Sequence, residues 1–471
     1  MKYFAHLLFL LCLCVLLIPF AATADEVVGW NPDITWSYDA ETATLTFSGT
    51  GVILCEQISP WDAYEEDIKH VVIGEGITGI GFRVFDRHYY LKDVVIPSSL
   101  TSIGEYAFEY CYSLRSIDIS RITSLGNYAF YNSGLHSVTI PDGITVIPSR
   151  AFMHCESLAE VIFHDKVTEI ERYAFDDCSK LTSVQLPNSL KILGESAFED
   201  CRNLKDIRFN DGLEVIGYAA VRNCPALESI VIPDSVKQLG GCVFNGCTNL
   251  KSIHFGAGIS SFNATSLQNT PSLLTYTVSP ANTYLEVYHY GLYIKQTREL
   301  ISVARAYEGP FTVKEGTVSI GYCACDAGKI TSLSIPNSVK TIGLRAFDQC
   351  VNLQNIDLGE GVETFKDSVF QGCAVTELVI PASVKKIGYG VFNFCTSLKK
   401  VTFEGLPPES EAAFYGTADV VAYYPVYMEE WRDADIRKKN FLLYAPDCKG
   451  RHDLRWEVIK APTCTESGWR S

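Results

Sequence analysis

Hydrophobic residues recur along most of the chain in a unit of 22 to 23 residues. Each unit begins with alternating apolar positions, as in residues 181–186, and continues with a short apolar pair such as Val236 and Leu239, then a glycine such as Gly240. The alternation predicts a β-strand with one face inward, and the glycine allows the chain to turn. A period of this length predicts a solenoid of stacked coils rather than one globular core.

An Ala-Phe or Val-Phe pair follows the glycine and marks the interior of each coil. It can be followed through eleven clear coils and three degenerate ones, so we expect about fourteen coils. The predicted fold class is an α/β-type solenoid dominated by β-structure, stacked with a right-handed turn. The clear pairs begin at Val84, Ala107, Ala129, Ala151, Ala174, Ala197, Ala220, Val243, Ala346, Val369 and Val391.

Cysteine shares this repeat. Most coils carry one cysteine three residues after the phenylalanine, among apolar side chains; these are Cys155, Cys178, Cys201, Cys224, Cys247, Cys350, Cys373 and Cys395. An exported chain with many cysteines suggests disulfides. The fixed position favours instead a column of buried, reduced thiols, because free cysteine behaves as a small hydrophobe.

The regular pattern is interrupted at 270–320 and at both ends. The interruption is rich in tyrosine, which indicates a β-hairpin added to one enlarged coil more than a ligand platform, since strands favour tyrosine. Residues 34–38 and 44–48 alternate around a polar turn and predict a hairpin. Near the other end, residues 426–440 are expected to form an amphipathic closing helix.

The first residues resemble a secretory signal. Lys2 precedes an apolar run, and Ala22-Thr23-Ala24 is a small-x-small cleavage motif before Asp25. The alternative is a membrane anchor, but the run is short for a bilayer. Export with cleavage predicts a secreted or cell-surface protein with no membrane span in the mature chain. The net charge of −16 argues against nucleic acid and against anionic membranes.

No catalytic, cofactor-binding or metal-binding residues can be assigned from the sequence. Cys323 and Cys325 lack a histidine at zinc spacing, and the nine histidines are scattered. There is no nucleophile elbow, phosphate-binding loop or dinucleotide fingerprint. The chain is therefore predicted not to be an enzyme; an enzyme would need an active site in the 270–320 insertion or in a further domain.

The candidate partner-binding residues lie on the outward strand positions and in the insertion. The outward positions run largely through serine, and the variable neighbours would carry specificity; the candidates are Gln185, Asp206, Arg208, His254, Tyr284, Tyr288 and Tyr290. The expected partner is an extracellular protein or glycan, on a host cell or in the matrix, and the chain is expected to be a monomer.

The unit L-x-x-I-x-I, P-x-S-V-x-x-I-G, x-x-A-F-x-x-C resembles the BspA-like leucine-rich repeats over residues 71–404. Segment 25–70, with Trp36 and residues 48–51, is similar to a hairpin that precedes such repeats in bacterial surface proteins. Residues 456–468 resemble the opening of a small module that often follows them. The resemblance implies an exported bacterial or protist protein used in adhesion. The alternative is an architectural spacer for, or binding module of, a larger secreted enzyme whose catalytic domain is absent here.

These observations divide the chain into five predicted segments. They are a signal peptide (1–24), an N-terminal β-hairpin cap (25–70), the leucine-rich repeat solenoid (71–404), a C-terminal cap (405–447) and the truncated start of a following module (448–471).

Overall fold

A computed structural model describes residues 31–54, 59–410, 412–417, 420–424, 429–432 and 442–444. In this part the chain is a β-solenoid of about 16 coils, which confirms the predicted fold class. The coils group into two units, Met1–Ile144 with Arg150–Leu158 and Thr145–Ser149 with Ala159–Ser471. The predicted signal peptide and the predicted module after residue 447 lie outside the described residues.

The first unit contains two sheets that grow by one parallel strand per coil after the opening hairpin, ordered β1-β2-β4-β6 and β3-β5-β7-β8. β1 and β2 pair antiparallel as the predicted hairpin, and β2 pairs parallel with β4, so the hairpin continues directly into the coils. A 3-10 helix, Asp62–Tyr64, follows β3. The strands are β1 (Ile34–Asp39), β2 (Thr44–Gly49), β3 (Gly51–Ile53), β4 (His70–Ile73), β5 (Ile77–Ile80), β6 (Asp93–Val95), β7 (Ser102–Ile103), β8 (Ser124–Leu125) and β9 (Ser137–Thr139).

The second unit repeats the arrangement, with one longer and one shorter strand in most coils. Two further 3-10 helices, Ala264–Leu267 and Glu429–Arg432, belong to it. The strands are β10 (Val146–Ile147), β11 (Glu160–Ile162), β12 (Glu169–Ile170), β13 (Ser183–Gln185), β14 (Ile192–Leu193), β15 (Asp206–Arg208), β16 (Val215–Ile216), β17 (Ser229–Ile232), β18 (Gln238–Leu239), β19 (Ser252–Phe255), β20 (Thr275–Val278), β21 (Leu285–Tyr288), β22 (Gly291–Ile294), β23 (Glu299–Val303), β24 (Gly309–Thr312), β25 (Ser319–Ile320), β26 (Ile330–Ser334), β27 (Thr341–Ile342), β28 (Asn355–Asp357), β29 (Thr364–Phe365), β30 (Glu377–Ile380), β31 (Lys386–Ile387), β32 (Lys400–Phe403), β33 (Glu409–Ser410), β34 (Val421–Tyr423) and β35 (Leu442–Tyr444).

The sequence period fixes the strand register. Val184 of β13 pairs with Ile207 of β15, so identical repeat positions lie above one another. The strand leucines and isoleucines, the Ala-Phe pairs and the repeat cysteines are buried. The phenylalanines stack from coil to coil, as between Phe175 and Phe198, whose ring centroids are 5.2 Å apart. Each coil therefore buries its apolar face against its neighbours, as a solenoid requires.

The repeat cysteines are free thiols with a second role beyond filling space. The Sγ of Cys201 donates to the carbonyl of Phe175 at 3.3 Å, and the Sγ of Cys224 donates to the carbonyl of Phe198 at 3.2 Å. Each thiol thus satisfies a buried carbonyl of the preceding coil. Burial raises the pKa of Cys247 to about 12, so this thiol stays protonated.

The turn beside each Ala-Phe pair uses two left-handed backbone positions, most of them occupied by residues other than glycine. Tyr106 and Tyr110 have φ of 58° and 60°, and Ser196 and Asp200 have φ of 50° and 55°. Main-chain hydrogen bonds join these turns across coils, as from Phe198 N to Ala220 O at 2.9 Å. The amide bonds fix the turn, and the side chain at a left-handed position is free to vary.

The tyrosine-rich interruption is an antiparallel meander of three strands, β21, β22 and β23. The turn predicted at Tyr290 and Gly291 joins β21 to β22, but it consists of His289, with φ of 51°, and Tyr290, because Gly291 already pairs with Tyr288. β23 then pairs parallel with β25, so the meander rejoins the column of short strands. The interruption is an enlarged coil, as the structural interpretation predicted.

The predicted closing helix falls mostly outside the described residues. Its described part is the 3-10 helix Glu429–Arg432, in which Trp431 is buried and its Nε1 donates to Gly405 O at 2.9 Å. Among the residues that the structure describes, no helix combines the length and hydropathy needed to cross a bilayer.

Candidate binding surfaces

The outward face of the longer strands in the second unit carries four of the predicted residues. β13 pairs with β15, and β17 pairs with β19 and β19 with β20, all in parallel register. β15 lies beside β17. Because the register is exact, one column of outward side chains crosses these strands: Gln185, Arg208, Val231, His254 and Thr277.

Asp206 lies one outward position away from this column and pairs with its neighbour. Its Oδ2 accepts from Arg208 Nε at 2.9 Å, and the two side chains are 51% and 71% exposed. An ion pair this open contributes about 0–1 kcal/mol to stability, so either partner can turn to a ligand at little cost. The structure therefore places Gln185 beside Arg208 on the neighbouring strand, with Asp206 paired to that arginine.

His254 lies on the same column, one strand beyond Val231. Its Nδ1 is 2.9 Å from Thr277 Oγ1, and Val231 is 62% exposed. The five residues Gln185, Asp206, Arg208, Val231 and His254 form what we call the strand patch. An exposed apolar side chain rimmed by polar ones is the composition of a protein interface on a small scale.

The tyrosines of the insertion divide into structural and exposed groups. Tyr276 and Tyr293 are buried: Tyr276 Oη is 2.9 Å from Ser302 Oγ, and Tyr293 Oη accepts from Lys314 N at 3.1 Å. Burial raises the pKa of Tyr276 to about 12. These two buried tyrosines are therefore structural, because their rings fill the interior of the enlarged coil.

The exposed group lies at the tip of the β21–β22 hairpin. Tyr288 and Tyr290 are each 38% exposed, and Tyr290 stacks on Tyr307 with ring centroids 3.8 Å apart. The third predicted tyrosine, Tyr284, is half-buried before β21, and its amide donates to Asn282 Oδ1. We call Tyr288, His289, Tyr290 and Tyr307 the insertion tip.

A shallow cavity of about 310 Å³ opens on the longer strands after the insertion, and the sequence did not single it out. Its polar lining is rich in oxygen, with hydroxyls, one amide and two carboxylates: Thr312, Ser332, Ser334, Asn355, Asp357 and Glu377. In the sequence these residues appear only as small polar side chains at outward strand positions, a pattern that is typical of an ordinary solvent-exposed face. Among the described residues, no group of three or more His, Cys, Asp or Glu side chains could hold a metal ion.

Buried carboxylates occupy the position after the repeat phenylalanine in several coils. Burial raises the pKa of Asp176 to about 7, with the nearby Glu199 adding to the effect. Glu199 in turn pairs with Arg222, whose Nε lies 2.7 Å from its Oε1. In the first unit, burial raises the pKa of Glu109 to about 7. Glu199 and Glu109 are thus paired with arginines, at 2.7 Å from Arg222 and 3.8 Å from Arg83.

The family model described as BspA type Leucine rich repeat region matches residues 62–182, 168–291 and 318–424. A leucine-rich repeat protein from Bacteroides ovatus is 26% identical, with a TM-score of 0.53 over 81% of this chain and 94% of that one. A leucine-rich cell surface protein from Faecalibacterium prausnitzii is 23% identical, with a TM-score of 0.49 over 87% and 98% of the two chains. The pneumococcal vaccine antigen PcpA is 21% identical, with a TM-score of 0.48 over 88% and 96%. No curated protein matches the chain.

Proposed function

Because the chain belongs to the BspA-type leucine-rich repeat family, we propose that it is an exported, non-catalytic binding module that attaches to an extracellular protein or glycan. The family supplies a repeat-based scaffold, and scaffolds of this kind present extended surfaces. The amino-terminal sequence supports export, since it has the charge, apolar run and cleavage motif of a signal peptide.

The strand patch is the observation on which the proposal rests. Interior positions hold the same residue types from coil to coil, whereas the outward column changes from amide to guanidinium, isopropyl, imidazole and hydroxyl. The solenoid fold does not require a particular residue type at these outward positions, because equivalent positions on equivalent strands hold different side chains. A rigid backbone with freely chosen outward residues is suited to recognition, since little ordering entropy is lost on binding.

The insertion tip supports the proposal as a second contact. Tyrosine offers a large, rigid contact area with a polar end, and it is enriched where binding energy concentrates. The hairpin presents Tyr288 and Tyr290 beyond the regular coils. Neither side chain is needed by the core, because Tyr276 and Tyr293 already fill it.

The test is binding of the purified chain to arrays of glycans and extracellular-matrix proteins at physiological ionic strength. We expect selective signals that fall about tenfold or more in Arg208→Glu/His254→Glu. Tyr288→Ser/Tyr290→Ser should weaken the same signals. Melting curves should remain close to wild type, because Arg208 is 71% exposed, His254 lies at an outward strand position, and Tyr288 and Tyr290 lie at the exposed tip of a hairpin.

A matched control changes charge on another face of the same unit. Lys191 and Lys237 are exposed on the short-strand side and both pair with Glu214. Lys191→Glu/Lys237→Glu should alter binding less than about twofold. If the chain binds nothing on any array, the architectural spacer is favoured instead. If Arg208→Glu/His254→Glu and Lys191→Glu/Lys237→Glu lose equal affinity, the loss is explained by net charge and not by the strand patch.

A further inference from the structure

A cavity of about 310 Å³ lies in the outward face of the longer strands after the insertion. β26 is the middle strand of the sheet β24-β26-β28, and its two outward residues, Ser332 and Ser334, are both small. Strand register places a larger side chain beside each serine on both neighbouring strands: Pro310, Thr312, Asn355 and Asp357. The depression therefore follows from side-chain size, and we call it the serine hollow.

The solenoid accepts larger residues at the same outward positions. The repeat position of Ser334 is held by Arg208 on β15 and by Val379 on β30, and both of these side chains are exposed. A larger side chain on β26 would fill the hollow and leave the strand pairing as it is. A substitution can therefore close the cavity while the fold is kept.

The polar side chains of the hollow offer both kinds of hydrogen-bonding group. Four of the six both donate and accept, and the two carboxylates only accept; the four are Thr312, Ser332, Ser334 and Asn355, and the two are Asp357 and Glu377. Within the described part of the chain, the side chains of Thr312, Ser332 and Asn355 have no hydrogen-bond partner. Their hydrogen-bonding capacity is therefore open to a ligand.

The two carboxylates are engaged on one side and open on the other. Asp357 Oδ1 accepts from Gly359 N at 3.2 Å, and Asp357 Oδ2 accepts from Ser334 Oγ at 3.4 Å. Glu377 Oε2 lies 3.3 Å from Lys400 Nζ, and both side chains are exposed. Each carboxylate oxygen accepts more than one hydrogen bond, so both groups keep capacity toward the hollow.

This set of groups favours a neutral ligand rich in hydroxyls over a charged one. An anion would meet two carboxylates, and none of the described residues that line the hollow is a lysine or an arginine. An ammonium group has donors only, so it would leave the donors of Ser332 and Asn355 unmatched, and Lys400 already offsets the charge of Glu377. A hydroxyl group both donates and accepts, so neighbouring hydroxyls can pair with every group present.

The floor and the rim add apolar contact. Phe311, Leu333 and Ile356 form the floor, and Ile356 is half-buried. The exposed Pro310 lies on the rim, and its carbonyl accepts from Tyr307 Oη at 2.8 Å, which places the insertion tip beside the hollow. A few polar groups around an apolar floor are typical of small-ligand sites, and a volume of about 310 Å³ is at the lower end of their range.

We propose that the serine hollow binds one neutral saccharide residue of an extracellular glycan. Its hydroxyl groups pair with Ser332, Asn355 and Asp357, and its ring carbons lie on Ile356. A ligand of about a dozen non-hydrogen atoms, bound with the efficiency of ordinary ligands, has a Kd of about 1 mM. This inference goes beyond the proposed function, because the hollow is separate from the strand patch and would bind a sugar even if the patch binds a protein.

The test is ligand-observed NMR of the purified full chain with methyl glycosides of neutral hexoses, 6-deoxyhexoses and N-acetylhexosamines. The uronic acid and the amino sugar that correspond to each neutral sugar are measured beside it. At least one neutral sugar should bind saturably with a Kd of about 1 mM. Its uronic acid should bind about fivefold or more weakly, and its amino sugar should gain less than about threefold.

Two variants of the hollow separate its shape from its charge. Ser332→Val/Ser334→Val fills the cavity and removes two hydroxyls with a residue that strands favour, so it should fold and weaken sugar binding about tenfold or more. Asp357→Asn keeps an acceptor without the charge and should weaken binding by less than about fivefold.

A matched control makes the same change at the same repeat position outside the hollow. Ser137 and Ser183 are exposed at the first outward position of β9 and β13, as Ser332 is on β26. Ser137→Val/Ser183→Val should change sugar affinity less than about twofold. Melting curves of all three variants should stay close to wild type, which separates loss of the site from loss of the fold.

Oligosaccharides distinguish a glycan from a free sugar. Those that carry the bound sugar at an end or in the middle should bind at least as tightly as the methyl glycoside, because the hollow is open at its rim. If every such oligosaccharide fails to bind, the hollow takes only a free sugar and the glycan assignment is overturned.

Three other results would overturn the proposal. They are no binding of any neutral sugar at about 10 mM, an amino sugar that binds about tenfold more tightly than its neutral counterpart, or wild-type affinity in Ser332→Val/Ser334→Val. Arg208→Glu/His254→Glu should leave sugar binding unchanged. If no sugar binds but array binding depends on that variant, only the hollow fails; if sugars bind and array binding is indifferent to it, only the strand patch fails.

Discussion

Removal of the Phe175 ring tests whether the stacked phenylalanines hold the coils together. Phe175 is fully buried, stacks on Phe198 at 5.2 Å and meets Phe163 edge to face at 5.8 Å. Phe175→Ala should cost about 3–5 kcal/mol of unfolding free energy, as truncation of a core aromatic does, of which about 0.5–1.5 kcal/mol is the ring–ring contact. Because each coil contacts only its neighbours, the loss should appear first in the adjoining coils.

The assay is urea unfolding followed by fluorescence, together with hydrogen exchange of the β12 to β16 amides. Phe394→Ala is the matched control, because Phe394 has the same ring but is 50% exposed on a turn. It should cost less than about 1 kcal/mol. If Phe175→Ala melts like wild type, or if both variants lose equal stability, the stacked rings do not carry the coil interior.

Three further predictions follow from the turn side of the coils. Thiol reagents in native buffer should label the half-buried Cys242 before the buried Cys201, and both should be labelled in denaturant. A disulfide at Cys201 by mass spectrometry would contradict the column of buried thiols. Glu109 and Asp176 have folded pKa values of about 7, above their unfolded values, so their stabilising contribution is complete below about pH 4 and is lost as pH rises through 7. The free energy of unfolding from urea titrations should therefore fall between pH 5 and pH 8, by about 1 kcal/mol per group after solvent screening. Glu109→Gln should flatten this pH dependence, and an unchanged slope would refute the assignment. Gln349 is exposed and has a left-handed φ of 58°. Gln349→Val should therefore lower the free energy of unfolding by about 1–2 kcal/mol, while Gln349→Gly should change it by less than about 0.5 kcal/mol. Equal stability of the two variants would show that this left-handed position tolerates a β-branched residue.

Most of the fold was predictable because the repeat is long and regular. Alternation located the strands, and the shared period fixed their register, so Val184 lies beside Ile207 as the alignment of coils implies. The buried thiols followed from their fixed place among apolar residues. The hydrogen bond from Cys201 to the carbonyl of Phe175 did not, because spacing along the chain does not show which carbonyl lies opposite in the next coil.

The binding surfaces were predictable only in part. Gln185 and Arg208 were brought together because strand register places equivalent positions side by side. The repeat accounts for the burial of Tyr276, which pairs with Ile253 at the inward strand position, but it could not sort Tyr288 from Tyr293, because these lie in the meander, where the repeat no longer shows which face is inward.

Footprinting of the bound complex tests most directly the claim that the outward strand face recognises the partner. The full chain would be exposed to hydroxyl radicals with and without the ligand identified on the arrays, and oxidation would be mapped by mass spectrometry. We predict that Val231 and His254 lose reactivity on binding, while exposed residues of the short-strand side such as Ile192 keep theirs. Unchanged oxidation of Val231 and His254 under saturating ligand would contradict it.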